Sequence, residues 1–201
     1  GAAQTFLFAF TPAASFAPTD IQLAFDCTNT DPAPVTVGLN TFLLSASNTP
    51  VADIVALSAT PLNDVIVHIP DTGSPGAFAV ATVNLGASEM ITVTADAAGG
   101  TLPVNLSLCE TNPATGVCTN PPTPAIETTT TVNTGETPTF AVFVDATDQI
   151  TLDPAANRIQ VSFLDNGGIL AVGVTGAGVS VIVGVGVQAI ACASASAVIC
   201  T

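Results

Sequence analysis

The sequence predicts an all-β protein of two immunoglobulin-like antiparallel β-sandwich modules, on three observations. The strand formers Val, Ile, Thr and Phe are abundant, while Glu, Lys and Arg, which help fill ordinary helices, are scarce or missing. Fifteen Pro and sixteen Gly interrupt the chain every few residues and leave little room for a three-turn helix. Short apolar runs with period-two alternation recur along the 201 residues. With 48% hydrophobic against 8% charged residues, the chain buries enough apolar surface to form a core.

The elements follow in order. Phe6, Phe8 and Phe10 alternate with Leu7 and Ala9, which puts three rings on one face of an extended segment that Pro12 ends. Further strands are predicted at residues 21–26, 35–45, 53–58 and 65–69, and after the Asp71-Thr-Gly-Ser-Pro-Gly turn at 78–85 and 90–95. Ala98-Gly-Gly is the predicted joint. Beyond it the pattern restarts at 104–109, 126–132, 139–144, 150–152 and 159–164. This gives an N-terminal strand over 1–17, one module over 18–100 and a second over 101–201, with a single larger sandwich as the alternative. The second module ends in a glycine-rich neutral β tail, since residues 166–201 carry no charge. Its β-branched alternation, Gly spacing and lack of flanking Lys or Arg argue against a membrane span over 179–200 and for paired strands.

Charge excludes one class of partner. Fifteen carboxylates stand against the single Arg158 and no Lys, for a net charge of −14, so the cations that neutralise nucleic-acid phosphates are missing. The surface must then be mostly neutral Thr, Ser, Asn and Ala, as in proteins that pack side by side or carry sugars. Gly1-Ala-Ala-Gln has no basic start, which a cleaved secretory signal would also leave. Cys109 and Cys118 bracket a loop whose Asn-Pro and Thr-Gly steps turn the chain back, and Cys192 and Cys200 bracket a similar span. Neither pair has zinc-site spacing, so disulfides and an oxidising, extracellular compartment are expected. Cys27 is left over, and its pairing with a tail cysteine stays open.

No cluster points to catalysis. His68 is the only histidine, on a strand where it shares a face with Ile66 opposite Val65, Val67 and Ile69, and no nucleophile motif accompanies it. The acids fall singly, mostly at turns, without the facing pair of a glycosidase and without Trp or Tyr to stack on sugar. Asp145, Asp148 and Asp153, with Asn157, offer hard oxygens to calcium, at a spacing unlike an EF-hand. Thr128 to Thr131 and the Asn105-Leu-Ser sequon are glycan-attachment signals of low specificity. The Phe6, Leu7, Phe8, Phe10 segment is the expected polymer contact: a strand with large alternate side chains completes a neighbour's sheet by strand addition, or pairs within its own module.

Asp26-Cys-Thr-Asn-Thr, Asn40-Thr-Phe-Leu-Leu-Ser-Ala-Ser, Gly76-Ala-Phe-Ala-Val-Ala-Thr-Val-Asn, Leu106-Ser-Leu-Cys-Glu-Thr-Asn-Pro-Ala-Thr-Gly and Asn157-Arg-Ile resemble a recurring immunoglobulin-like β-sandwich module of large secreted bacterial surface proteins. The resemblance covers about residues 20–165 and implies a non-catalytic stalk, spacer or surface part with no site residues to carry over. Past Asp165 the chain departs from that pattern, with a long neutral tail where one short closing strand is expected. The expectation is a non-enzymatic extracellular structural protein, a homopolymer subunit of a bacterial filament, sheath or layer. An adhesin or calcium-binding stalk module is the alternative.

Overall fold

The computed structural model describes residues 9–24, 31, 32, 34, 35, 37, 41–98, 101–168 and 171–181. These fall in two units that divide between Asn48 and Thr49.

In the first unit, β1 (Phe16–Gln22) pairs antiparallel with β2 (Thr41–Ala46), with Ile21 opposite Phe42. Phe10 precedes β1 outside any strand and stacks on Phe42, ring centroids 5.4 Å and planes 11° apart.

The second unit is a β-sandwich. Its strands are β3 (Ile54–Ala59), β4 (Ile66–Ile69), β5 (Pro75–Asn84), β6 (Glu89–Ala97), β7 (Val104–Thr111), β8 (Cys118–Ala125), β9 (Glu127–Val132), β10 (Thr139–Ala146), β11 (Arg158–Leu164) and β12 (Ala171–Val181). One sheet has the order β3-β5-β10-β7-β8 and the other β4-β12-β11-β6-β9. β3, β5, β10 and β7 thus stand as A, B, E and D of an immunoglobulin-like sandwich, and β6, β11 and β12 as C, F and G. Pairing is antiparallel except between β4 and β12, which run parallel with His68 beside Ser180.

Alternation builds the core. Phe78 and Val80 of β5, Phe140, Val142 and Val144 of β10, and Leu108 of β7 face Ile91 and Val93 of β6 and Ile159, Val161 and Phe163 of β11. Phe140 and Phe163 meet edge to face between the sheets, centroids 5.6 Å apart. Glycine permits a close approach between the two layers: a Cβ on Gly173 of β12 would fall 2.3 Å from the carbonyl oxygen of Ile54 on β3.

Both flanks of the sandwich are closed by chain that changes sheet. On one flank β3 leaves its sheet and becomes β4 of the other through a turn at residues 60–65. On the other, β8 continues into β9 across the single exposed residue Ile126. Strands that cross at corners leave short edges, and prolines blunt them further. β8 carries Pro121, Pro122 and Pro124, tolerable because it is the outermost strand of its sheet.

Four expectations need correction. Ala98-Gly-Gly does not separate modules: β5 pairs with β10, and β6 with β11 and β9, so strands from both sides of the predicted joint share both sheets. The modules predicted over 18–100 and 101–201 are therefore one sandwich from Thr49 onward, with Phe163 and Phe140 of the later half buried against strands of the earlier half. Residues 150–152 form no strand, although Ile150 is buried and its carbonyl accepts the amide of Val181 at 2.9 Å. The Pro-rich β8 was not predicted. The described part of the neutral tail, β12, pairs with β11 and β4 of its own chain.

Candidate functional site

The sheet-switching turn carries the most concentrated polar chemistry. Thr60 follows β3, and its carbonyl accepts the Asn63 amide at 2.9 Å while its hydroxyl accepts the Val65 amide at 3.0 Å. Asn63 and Val65 both have positive φ, 56° and 60°, a conformation rare for a β-branched residue and held here by those bonds. Asp64 follows from the turn: its Oδ1 accepts the Thr60 hydroxyl at 3.2 Å and the Ile66 amide at 3.0 Å, and its Oδ2 meets His68 Nε2 at 2.7 Å. The parallel register brings Ser180 of β12 to the other side of the ring, Oγ 3.5 Å from Nδ1.

Asp64, His68 and Ser180 thus form a line of acid, imidazole and hydroxyl that the sequence did not reveal, because Ser180 lies 112 residues from His68 in the glycine-rich tail. Ser180 is only 2% exposed, so its hydroxyl is not presented to a substrate in solution, and the contact to Nδ1 lies at the limit of a hydrogen bond. His68 itself stands as expected, partly exposed on the face opposite the buried Val67 and Ile69.

Burial works to raise the Asp64 pKa, but the hydrogen bond from His68, the Ile66 amide, the His68 charge and the Thr60 hydroxyl together outweigh it and hold the carboxyl below its usual 3.8. A carboxyl lowered in the folded state contributes stability that is present above its unfolded pKa and lost as pH falls through the folded value. The melting temperature is therefore expected to fall on acidification below about pH 4, and Asp64→Asn to flatten that acid limb. Superimposable acid limbs for the two proteins would rule the contribution out.

The predicted metal ligands do not converge. Asp145 lies on β10 opposite Asn105 and Pro75. Asp148 Oδ1 accepts the adjacent Gln149 amide, and Asp153 Oδ1 accepts the amides of Ala155 and Ala156 as a turn residue. Among the described residues no group of three His, Cys, Asp or Glu is placed to hold a metal. The nearby Arg158 is buried, with Nη1 donating to the Pro154 carbonyl at 3.2 Å, and burial lowers its pKa.

The predicted Cys109–Cys118 disulfide is present, Cα atoms 5.6 Å apart, and staples β7 to β8. Its loop turns as the sequence indicated: Asn112 Oδ1 accepts the amides of Ala114 and Thr115, and Gly116 has φ 71°. Closing nine residues of separation accounts for about 2–3 kcal/mol by loop entropy. Cys27, Cys192 and Cys200 lie outside the described residues, as do Phe6, Leu7 and Phe8 of the predicted polymer contact. Phe10, its last member, is 44% exposed and its stacking partner Phe42 45%. Of the glycan signals, Thr128 is buried with its hydroxyl donating to the Asn120 carbonyl at 2.9 Å, whereas Asn105 is exposed.

No protein-family model matches the chain, and a search of curated proteins finds no match. Among solved structures, the chain is similar to the CARDB domain of a Pyrococcus furiosus protein in complex with di-metal ions, at 13% identity and a TM-score of 0.35 over 67% of this chain and 90% of that one. It is also similar to AvmM, which catalyses macrocyclization in alchivemycin A biosynthesis, at 15% identity and a TM-score of 0.36 over 79% of this chain and 100% of that one. No helix among the described residues is long and apolar enough to cross a membrane.

Proposed function

We propose that the chain is a non-enzymatic extracellular structural protein that associates with copies of itself, as a subunit of a surface filament, sheath or layer. The observation that carries this reading is the β1–β2 unit. Among the described residues this unit is a two-stranded sheet, and it presents a stacked, half-exposed Phe10–Phe42 pair, an aromatic patch of the kind enriched at interfaces. Strand addition through Phe6, Leu7, Phe8 and Phe10 is the proposed contact. The disulfide fits an oxidising compartment, and the closed, stapled sandwich fits a durable building block. A stalk module of a longer surface protein is the second reading, favoured by a sandwich that supplies its own last strand, β12.

Negative-stain microscopy of the oxidised chain at high concentration tests the proposal. Regular assemblies that disappear in Phe10→Ser/Phe42→Ser are expected. Uniform monomers throughout would overturn self-assembly and leave the stalk.

A further inference from the structure

The solvent face of the β3-β5-β10-β7 sheet is apolar where a sandwich normally turns polar residues to water. Pairing aligns it in rows. Val55 sits beside Val83; Leu57 beside Ala81, Thr139 and Thr111; Ala59 beside Ala79, Ala141 and Cys109; and Ala77 beside Phe143 and Ser107. On β5 and β10 these positions alternate with the core residues Phe78, Val80, Phe140 and Val142 and so point outward, whereas Cys109 and Thr111 of β7 are themselves buried. Leu57 is 70% exposed, and Val55, Ala59, Ala79 and Ala81 are exposed as well. Even the two threonines offer little polarity, since their hydroxyls bond each other at 2.8 Å.

We propose that this face is an interface between two copies of the chain, packed sheet to sheet about Ala79. This inference rests on the self-association reading and names a second, separate contact for it.

Two features favour a second copy as the occupant. The first is charge: at −14, most of the surface repels another copy, and the four rows contain no charged residue, Asp145 marking their end. The second is relief. Leu57 and Phe143 stand on opposite sides of Ala79 with alanines between them, so raised and recessed parts lie on one face, as a self-complementary contact requires. Such a two-fold contact closes on itself, so it makes pairs, and continued growth needs the different contact at Phe10.

Sedimentation velocity of the oxidised full chain over a concentration series is the test, with Ala79→Arg and Leu57→Ser as variants and Phe10→Ser/Phe42→Ser as the comparison. Both face positions are exposed, and unchanged circular dichroism and melting verify folding. The expected result is a concentration-dependent dimer that persists in the Phe10→Ser/Phe42→Ser variant and weakens about tenfold or more in Ala79→Arg, with a smaller loss in Leu57→Ser. Association unchanged in folded Ala79→Arg and Leu57→Ser would overturn the face while sparing self-assembly. A wild-type chain that stays monomeric at every concentration would overturn both.

Discussion

Replacing Asn84 by Ala is expected to destabilise the sandwich by about 3–5 kcal/mol, because four backbone groups lose their partner at once and each buried orphan costs about 1–3 kcal/mol before water relieves it. Asn84 ends β5 and is fully buried, 0% exposed. Its Nδ2 donates to the carbonyls of Ala87 at 2.8 Å and Val132 at 3.0 Å, and its Oδ1 accepts the amides of Asp53 and Gly86, each at 3.0 Å. The side chain has two donors and two acceptor positions, and all are used. Its own backbone adds bonds to Glu136 and Gly135. One residue thereby ties the entry to β3, the β5–β6 turn and the end of β9. Urea unfolding measures the effect as a lowered midpoint at constant slope. Asn84→Asp keeps both acceptor contacts but sets a carboxylate oxygen against two carbonyls, so its loss should ease as the carboxyl is protonated at lower pH. A cost below about 1 kcal/mol for Asn84→Ala, within the range of ordinary substitutions, would contradict this account.

Phe163→Ala is expected to cost about 3–5 kcal/mol, the range for emptying a buried aromatic site. The ring is 0% exposed and meets Phe140 between the two sheets, so its removal opens a cavity bounded by strands on both sides. Neighbours paired in ladders on both sheets cannot collapse into it easily. Phe143→Ala makes the contrast, because Phe143 lies on the solvent face of β10 and is only half-buried. Its truncation should cost the isolated sandwich less than half as much. Equal costs at the two positions would mean that the assignment of faces along β10 and β11 is wrong.

Alternation made most of the sandwich legible. Within residues 78–85 and 139–144 the large apolar Phe78, Val80, Phe140, Val142 and Val144 stand at alternate positions, and the structure buries them in β5 and β10. The Cys109–Cys118 staple was legible for a similar reason, since the turn residues between the thiols are local. Non-local pairing was not. Period-two patterning says that a strand has two faces and is silent about which strand lies beside it, so the partnership of β5 with β10 across Ala98-Gly-Gly was read as a module boundary. β8 escaped because its three prolines suppress a strand signal that an outermost strand does not need. Asn84 stood at the end of the Gly76-Ala-Phe-Ala-Val-Ala-Thr-Val-Asn block, yet its role depends on carbonyls and amides up to 48 residues away. The acid, imidazole and hydroxyl line failed to show for the same reason. The alanine face was hidden more simply: Ala77, Ala79, Ala81 and Ala141 are apolar by composition, and composition does not say that they are neighbours.

The parallel pairing of β4 with β12 has a mechanical consequence. β4 lies near the start of the second unit and β12 ends its described part, and their carbonyls and amides are joined along Ile66 to Ile69 and Gly178 to Val181. Tension drawn on the chain before β3 and beyond Val181 loads β3 against β5 first and, once β3 parts, pulls β4 and β12 in opposite senses along their own axes. The cross-links then bear the load together, in shear, instead of peeling one after another as a hairpin does. A chain strained in this way holds until several bonds break at once.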